Sequence, residues 1–437
     1  MRQRLTRAAS LFWVAALLAA PAVADLSPVE RDIAAAVDAE ARAYVELLER
    51  IVNINSGTMN ADGVKEVGSV LPGVFERHGL QTHWVDLPPS ADRAGHLVAN
   101  ATPQNGKDVP NILLIGHLDT VFELDSPFQR FEYLPGNRAR GPGVTDMKGG
   151  NVVIVAAVAA LAHAGALGDV NLTIVMTGDE ERPGRPIPVS RKALLDAGRN
   201  ADYILGLENN INLTSATVAR RGSSGWKLEV KGVRGHSSQV FSDRLGAGAI
   251  FEASRILDAF YGQVRGERYL TFNPGVILGG TAVEYDARNS RGDAFGKTNV
   301  VAQDVVVRGG LRFITEDQKK RARERMRQIV RTNLPQTEAT ITFTDGYPAM
   351  PPSEGNLALF EQLSAVSVDL GEGPLSQVDP GRRGAADISF VGRLAPSLAG
   401  LGPVGSNLHA EGETVDLASI PLVTKRVAIL MHRLSLP

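Results

Sequence analysis

The run Ile112-Leu-Leu-Ile115, followed by Gly116-His117-Leu118-Asp119, does most to limit what this chain becomes. Successive apolar residues suit a strand covered on both faces, as in the parallel sheet of an α/β protein. His117 and Asp119 stand at i and i+2, so an extended backbone points both to one side. A metal-bound imidazole usually gives its second ring N–H to a carboxylate. Ligands of open α/β sheets gather at the carboxyl ends of the strands. A single His-x-Asp after a strand is more often a solvated turn. Its weight here comes from the acidic residues that stand at similar places downstream.

Residues 172–177 form a second apolar run that ends in Gly178-Asp179-Glu180-Glu181, and residues 203–207 form a third that ends at Glu208. Asp146 lies in the loop 140–150, ahead of an apolar helix expected over 150–163. His409 lies in the loop 407–413. In a parallel sheet the strand-borne groups meet at one edge. So many carboxylates together repel one another and take up protons unless cations separate them. The chain has no cysteine, so any metal is held by His, Asp and Glu. That donor set suits a pair of zinc ions, with manganese or cobalt as alternatives. Glu180 and Glu181 are neighbours, and on extended backbone neighbours point opposite ways. One can then bind metal while the other takes a proton from the attacking water.

The rest of the chain reads as two units behind a leader. Arg2, Arg4 and Arg7 precede an apolar stretch at 10–20 and an Ala22-Val23-Ala24 site. This predicts a secretory signal peptide over 1–24, cleaved after Ala24, and a periplasmic or secreted location. The stretch is short for the ~20 residues a membrane span needs, so no membrane association is expected after cleavage. Helices are expected over 32–52 and 63–78, and strands over 82–87 and 96–101. Alternation of apolar runs and helices implies a mostly parallel sheet with helices on both faces. The pattern changes near Arg220. Trp226, Leu228 and Val230 alternate as in a half-buried strand, and Thr315 to Gln318 fits a capping box. An α+β unit inserted in the larger one is expected there, and a closing helix over 419–434. The formal net charge of −2 argues against nucleic acid as a partner.

These motifs, in this order, resemble the co-catalytic zinc exopeptidases and deacylases: glutamate carboxypeptidase, aminoacylase, acetylornithine deacetylase and succinyl-diaminopimelate desuccinylase. The layout is most similar to the glutamate carboxypeptidase branch. The resemblance implies a catalytic domain over 25–220 and 344–437 and an inserted lid and dimerisation domain over 221–343. It implies two zinc ions per subunit. His117 and Glu208 would hold one, Glu181 and His409 the other, and Asp146 would bridge them. Glu180 would be the general base, and Asp119 would orient His117. In Lys231-Gly-Val-Arg-Gly-His236-Ser-Ser238, His236 would reach into the partner subunit's site of a homodimer and stabilise the oxyanion, with Asn299 near the substrate.

Some positions depart from the family pattern. Gln239 and Val240 replace a Pro that shortly follows the lid motif in relatives. Tyr347 stands where relatives of the glutamate carboxypeptidase type have an Arg that serves the substrate carboxylate, and Gly310 replaces the Asp of an Asp-x-Arg that ends here at Arg312. Arg382 and Arg383 stand in a loop that is Gly-rich in relatives. Either arginine could hold a carboxylate bidentately, or both belong to a solvated basic loop. The expected substrate is a small peptide or N-acyl amino acid, cleaved at an amide next to a free carboxylate. A carboxypeptidase comes first, with a deacylase or dipeptidase as the alternative. A silent binding protein and a metal-dependent phosphoesterase are the more distant readings.

Overall fold

The computed structural model describes residues 26–436 other than 105, 107 and 288. The expected signal peptide lies outside the described residues. Among them, no helix is long and apolar enough to cross a membrane.

The apolar run at 112–115 belongs to the strand Asn111–His117, which sits inside a six-stranded sheet. The order is Gln81–Val85, His96–Ala101, Asn171–Thr177, Asn111–His117, Tyr203–Gly206 and Ser397–Leu398. His96–Ala101 is antiparallel to both of its neighbours, and every other pair is parallel. The unbroken apolar run follows from burial on both faces. Ile112 and Leu114 join the core under the helices Lys148–His163 and Ser419–Leu434, while Leu113 and Ile115 join a smaller core with Leu194 and Val391. Gly150 lets the first of these helices approach, because a Cβ there would lie 2.0 Å from the Leu207 carbonyl oxygen.

Several expected elements differ in extent. The helix expected over 32–52 is two, Pro28–Ala39 and Ala41–Val52, separated at Glu40. The helix expected over 63–78 divides into Ala61–Val70 and Pro72–Arg77. Pro72 lacks the N–H that a continuous helix would need there. At Thr315 only half of a capping box forms. Its hydroxyl accepts from the Gln318 N–H, but the Gln318 side chain accepts from Ile314.

The second unit is a four-stranded antiparallel sheet ordered Thr271–Gly280, Asp304–Phe313, Gly222–Gly232 and Thr337–Asp345. Trp226, Leu228 and Val230 face the helices Ala249–Gln263 and Glu316–Val330, and pack with Phe260 and Met326. The unit is inserted between strands of the first. The chain entering and leaving it is paired at the seam: Arg220 and Met350 exchange N–H···O bonds of 2.9 and 3.0 Å, and Ser223 N–H donates to Tyr347 O at 2.8 Å.

Candidate metal centre

The carboxyl ends of Asn111–His117, Asn171–Thr177 and Tyr203–Gly206 lie side by side, because these strands are parallel neighbours. His117 ends its strand fully buried. Its Nδ1 lies 3.0 Å from the Asp119 main-chain carbonyl and 3.4 Å from the Asp119 carboxylate. Nδ1–H donation there leaves the Nε2 lone pair available to a metal. Nε2 stands 3.3 Å from Asp146 Oδ1. From the far side, His409 Nε2 stands 3.0 Å from Asp146 Oδ2 and 3.3 Å from Glu181 Oε2. His409 is placed there by a left-handed backbone, φ 59°. One carboxylate is thus bracketed by two imidazoles, each addressing a different oxygen.

These distances suit bound metal. Two donors at 2.0–2.1 Å from a tetrahedral zinc lie about 3.3 Å apart. Among the described residues, two groups of side chains present ligand atoms within 4.8 Å of one another: His117, Glu180 and Glu181, and Asp146, Glu181 and His409. Glu181 belongs to both. Glu208 belongs to neither, because its Oε2 is turned to the Arg220 guanidinium at 2.5 Å and lies 3.8 Å from Arg383.

The electrostatics show the crowding that the sequence implied. Burial and the charges of Glu208 and Glu181 push the Glu180 carboxyl well above the usual range. Burial, opposed by the hydrogen bond from His409, takes Glu181 to about 7. Asp146 and Glu181 hold the His409 pKa at about 11. Burial opposes a charge on His117, but Asp119 and Asp146 outweigh it and hold its pKa well above the ordinary value. A site that gathers protons this strongly is one that divalent cations would stabilise.

The supporting groups carry weaker marks in the sequence. The Asp119 carboxylate accepts from the Thr58 hydroxyl at 2.6 Å and from the N–H groups of Glu180 and Glu181 at 3.0 and 3.1 Å. Residues 180 and 181 therefore form a bend around Asp119 rather than extended strand. Glu413 is buried and accepts from the N–H groups of Gly143, Thr145 and Asp146 at 2.8–3.1 Å. It joins the Asp146 loop to the His409 loop, and burial lifts its pKa to about 8. Lys148 is fully buried, donates to the Ile54 carbonyl at 2.9 Å, and burial lowers its pKa to about 7. The spacing of Glu413 from His409 is the one signal of it that the sequence offers. For Arg220, whose partner is fixed only by the fold, there is none.

The remaining candidates belong to other segments, and of these Arg383 comes within 3.8 Å of Glu208. His236 and Asn299 are in the inserted unit, where Ser237 N–H donates to the Asn299 carbonyl at 2.9 Å and His236 Nδ1 pairs with the Ser238 hydroxyl at 2.8 Å. Asn299 is exposed. Arg382 is exposed as well, whereas Arg383 is buried and donates to the Asn209 carbonyl at 3.1 Å.

Known proteins share this architecture. The model of peptidase family M20/M25/M40 matches residues 113–433. The chain is 26% identical to carboxypeptidase G2 of Pseudomonas sp. (strain RS-16), over 87% of each protein. It is 28% identical to succinyl-diaminopimelate desuccinylase of Gluconobacter oxydans (strain 621H), over 84% of this chain and 91% of that one. Among solved structures, aminopeptidase PepT from Bacillus cereus ATCC 10987 is similar in fold, with a TM-score of 0.70 at 15% identity, covering 91% of this chain and 99% of that one. A dinuclear metal binding peptidase of Bacillus subtilis, the YXEP protein, gives a TM-score of 0.62 at 14% identity, covering 91% and 98%.

Proposed function

The chain belongs to peptidase family M20/M25/M40, and from that premise we propose that it is a dizinc hydrolase that cleaves an amide bond next to a free carboxylate and releases a C-terminal amino acid. The observation that carries this reading is the Asp146 carboxylate, bracketed by His117 and His409, with Glu180 and Glu181 on one adjoining bend. His117, Asp146, Glu181 and His409 would hold the metals, with Glu208 completing the set once released from Arg220. The metal pair supplies Lewis-acid activation of water and of the scissile carbonyl when bound. Glu180 takes the proton of the attacking water at its carboxylate and returns it to the leaving amine.

The assembly belongs to the same reading. Phe241, Phe251, Ile277 and Phe295 are large apolar side chains left exposed on the inserted unit. Exposed apolar side chains of this size suit a subunit contact, and a dimer formed there would bring His236 of one subunit toward the partner's site, where it stabilises the oxyanion. Export through a signal peptide at residues 1–24 completes the reading.

The test is hydrolysis by zinc-loaded protein, with a chelated control, of aroyl-glutamates, C-terminal dipeptides and N-acetyl amino acids. The expected result is chelator-sensitive release of a free C-terminal amino acid. Glu180→Gln should retain bound metal and lose roughly 10²–10⁴-fold in turnover. Full activity of that variant refutes the base assignment. Preference for N-acetyl amino acids over peptides moves the reading to a deacylase.

A further inference from the structure

The bend that carries Glu180 is held from both sides. Gly178 N–H donates to His96 Nδ1 at 3.2 Å, and the N–H groups of Glu180 and Glu181 donate to Asp119. The two carbonyls on the other side of the chain are held as well. Asp179 O accepts from Arg191 at 2.9 Å, and Glu180 O accepts from the Tyr347 hydroxyl at 2.6 Å.

Arg191 and Tyr347 form one relay. Arg191 is fully buried, between the carboxylates of Asp179 and Asp387. Its Nη2 donates to the Tyr347 oxygen at 2.9 Å. A guanidinium has no lone pair to offer, so the phenol must point its single proton at Glu180 O. Tyr347 stays protonated, because burial and the charges of Glu180 and Asp387 push its pKa well up. Its ring packs on Phe390, with centroids 4.8 Å apart. A buried Arg between two carboxylates contributes little net stability. Here it fixes the orientation of a hydroxyl.

We propose that Tyr347, oriented by Arg191, is a positioning residue that locks the Glu180–Glu181 peptide so that the two neighbouring carboxylates keep separate tasks. This rests on the reading of Glu180 as the base. The phenol's proton is committed to the main chain, so Tyr347 does not hold a substrate carboxylate.

The test is Tyr347→Phe, which keeps the ring and removes the hydroxyl. Hydrogen exchange over residues 178–184 is read without substrate, and kinetics are read on an aroyl-glutamate that the wild type cleaves. The expected result is amide exchange about tenfold faster in that segment, with kcat down ~10–100-fold and KM within about twofold. Zinc content should be unchanged. Phe390→Leu, which loosens packing on the same ring but keeps the hydroxyl, should keep kcat. A raised KM at unchanged kcat makes the phenol a substrate contact and overturns the proposal. So does unchanged exchange, or a kcat that falls equally in both variants in step with melting temperature. If the wild type cleaves no acyl amino acid, the proposed function fails, and exchange alone decides whether Tyr347 locks the peptide.

Discussion

At the scale of residues, the proposed metal-ligand atoms are set by groups outside the proposed ligand set. Glu413 is the clearest case, since three donors of the Asp146 loop converge on one buried carboxylate. Glu413→Gln keeps the size of the side chain but exchanges an acceptor oxygen for a donor that faces other donors. Loss of such an outer partner costs roughly 10–100-fold in metal affinity. Competition with a chromophoric chelator should show that loss, with wild-type folding by circular dichroism. Affinity equal to wild type would assign Glu413 to loop stability alone. His117, Asp146, Glu181 and His409 are legible in the sequence because each sits at a strand end or in a Gly-flanked loop. Arg191 and Arg220 are not, since their partners lie as far away as Asp387 and the pairing is a product of the fold. Glu208 is legible as a carboxylate at a strand end, but its engagement by Arg220 is not.

At the scale of elements, apolar runs identify the parallel strands because burial on both faces leaves few polar positions in them. Helix ends are less legible. The sequence of residues 32–52 keeps its apolar spacing across Glu40, so nothing in the periodicity marks the break. The first of the two helices is tied down by Glu30. Its side chain caps Ser27 N–H at 2.7 Å and accepts from Arg433 of the closing helix at 2.6 Å, and Arg433 also reaches Asp369. Burial raises the Glu30 pKa, but the Arg433 and Ser27 contacts outweigh it and leave it below 4.5. A depressed carboxylate stabilises the fold above its unfolded pKa, and that contribution is lost as pH falls through the folded value. Glu30→Gln should therefore cost roughly 1–2 kcal/mol at pH 7, and the gap from wild type should shrink below pH 4.5. Urea titrations at the two pH values check this. A gap independent of pH would make the contact one of packing.

At the scale of the whole molecule, two units with separate cores share one chain path. The inserted unit keeps apolar side chains outside, among them Phe241 and Phe251, whose ring centroids are 5.6 Å apart. Replacing both by Ser should convert the proposed dimer to a monomer in sedimentation and lower turnover by ~10-fold or more, as loss of an oxyanion donor does. A monomer with full activity would remove His236 from the mechanism. The paired strands at the seam bear on the same question. A limb joined by one strand swivels freely. A limb joined by two strands bonded to each other bends mainly across their common plane, as a strap hinge does. Tyr347 lies at this seam, bonded through its carbonyl to Ser223 and through its hydroxyl to Glu180. A swing of the inserted unit about this seam would therefore pull on the same peptide that carries the proposed general base.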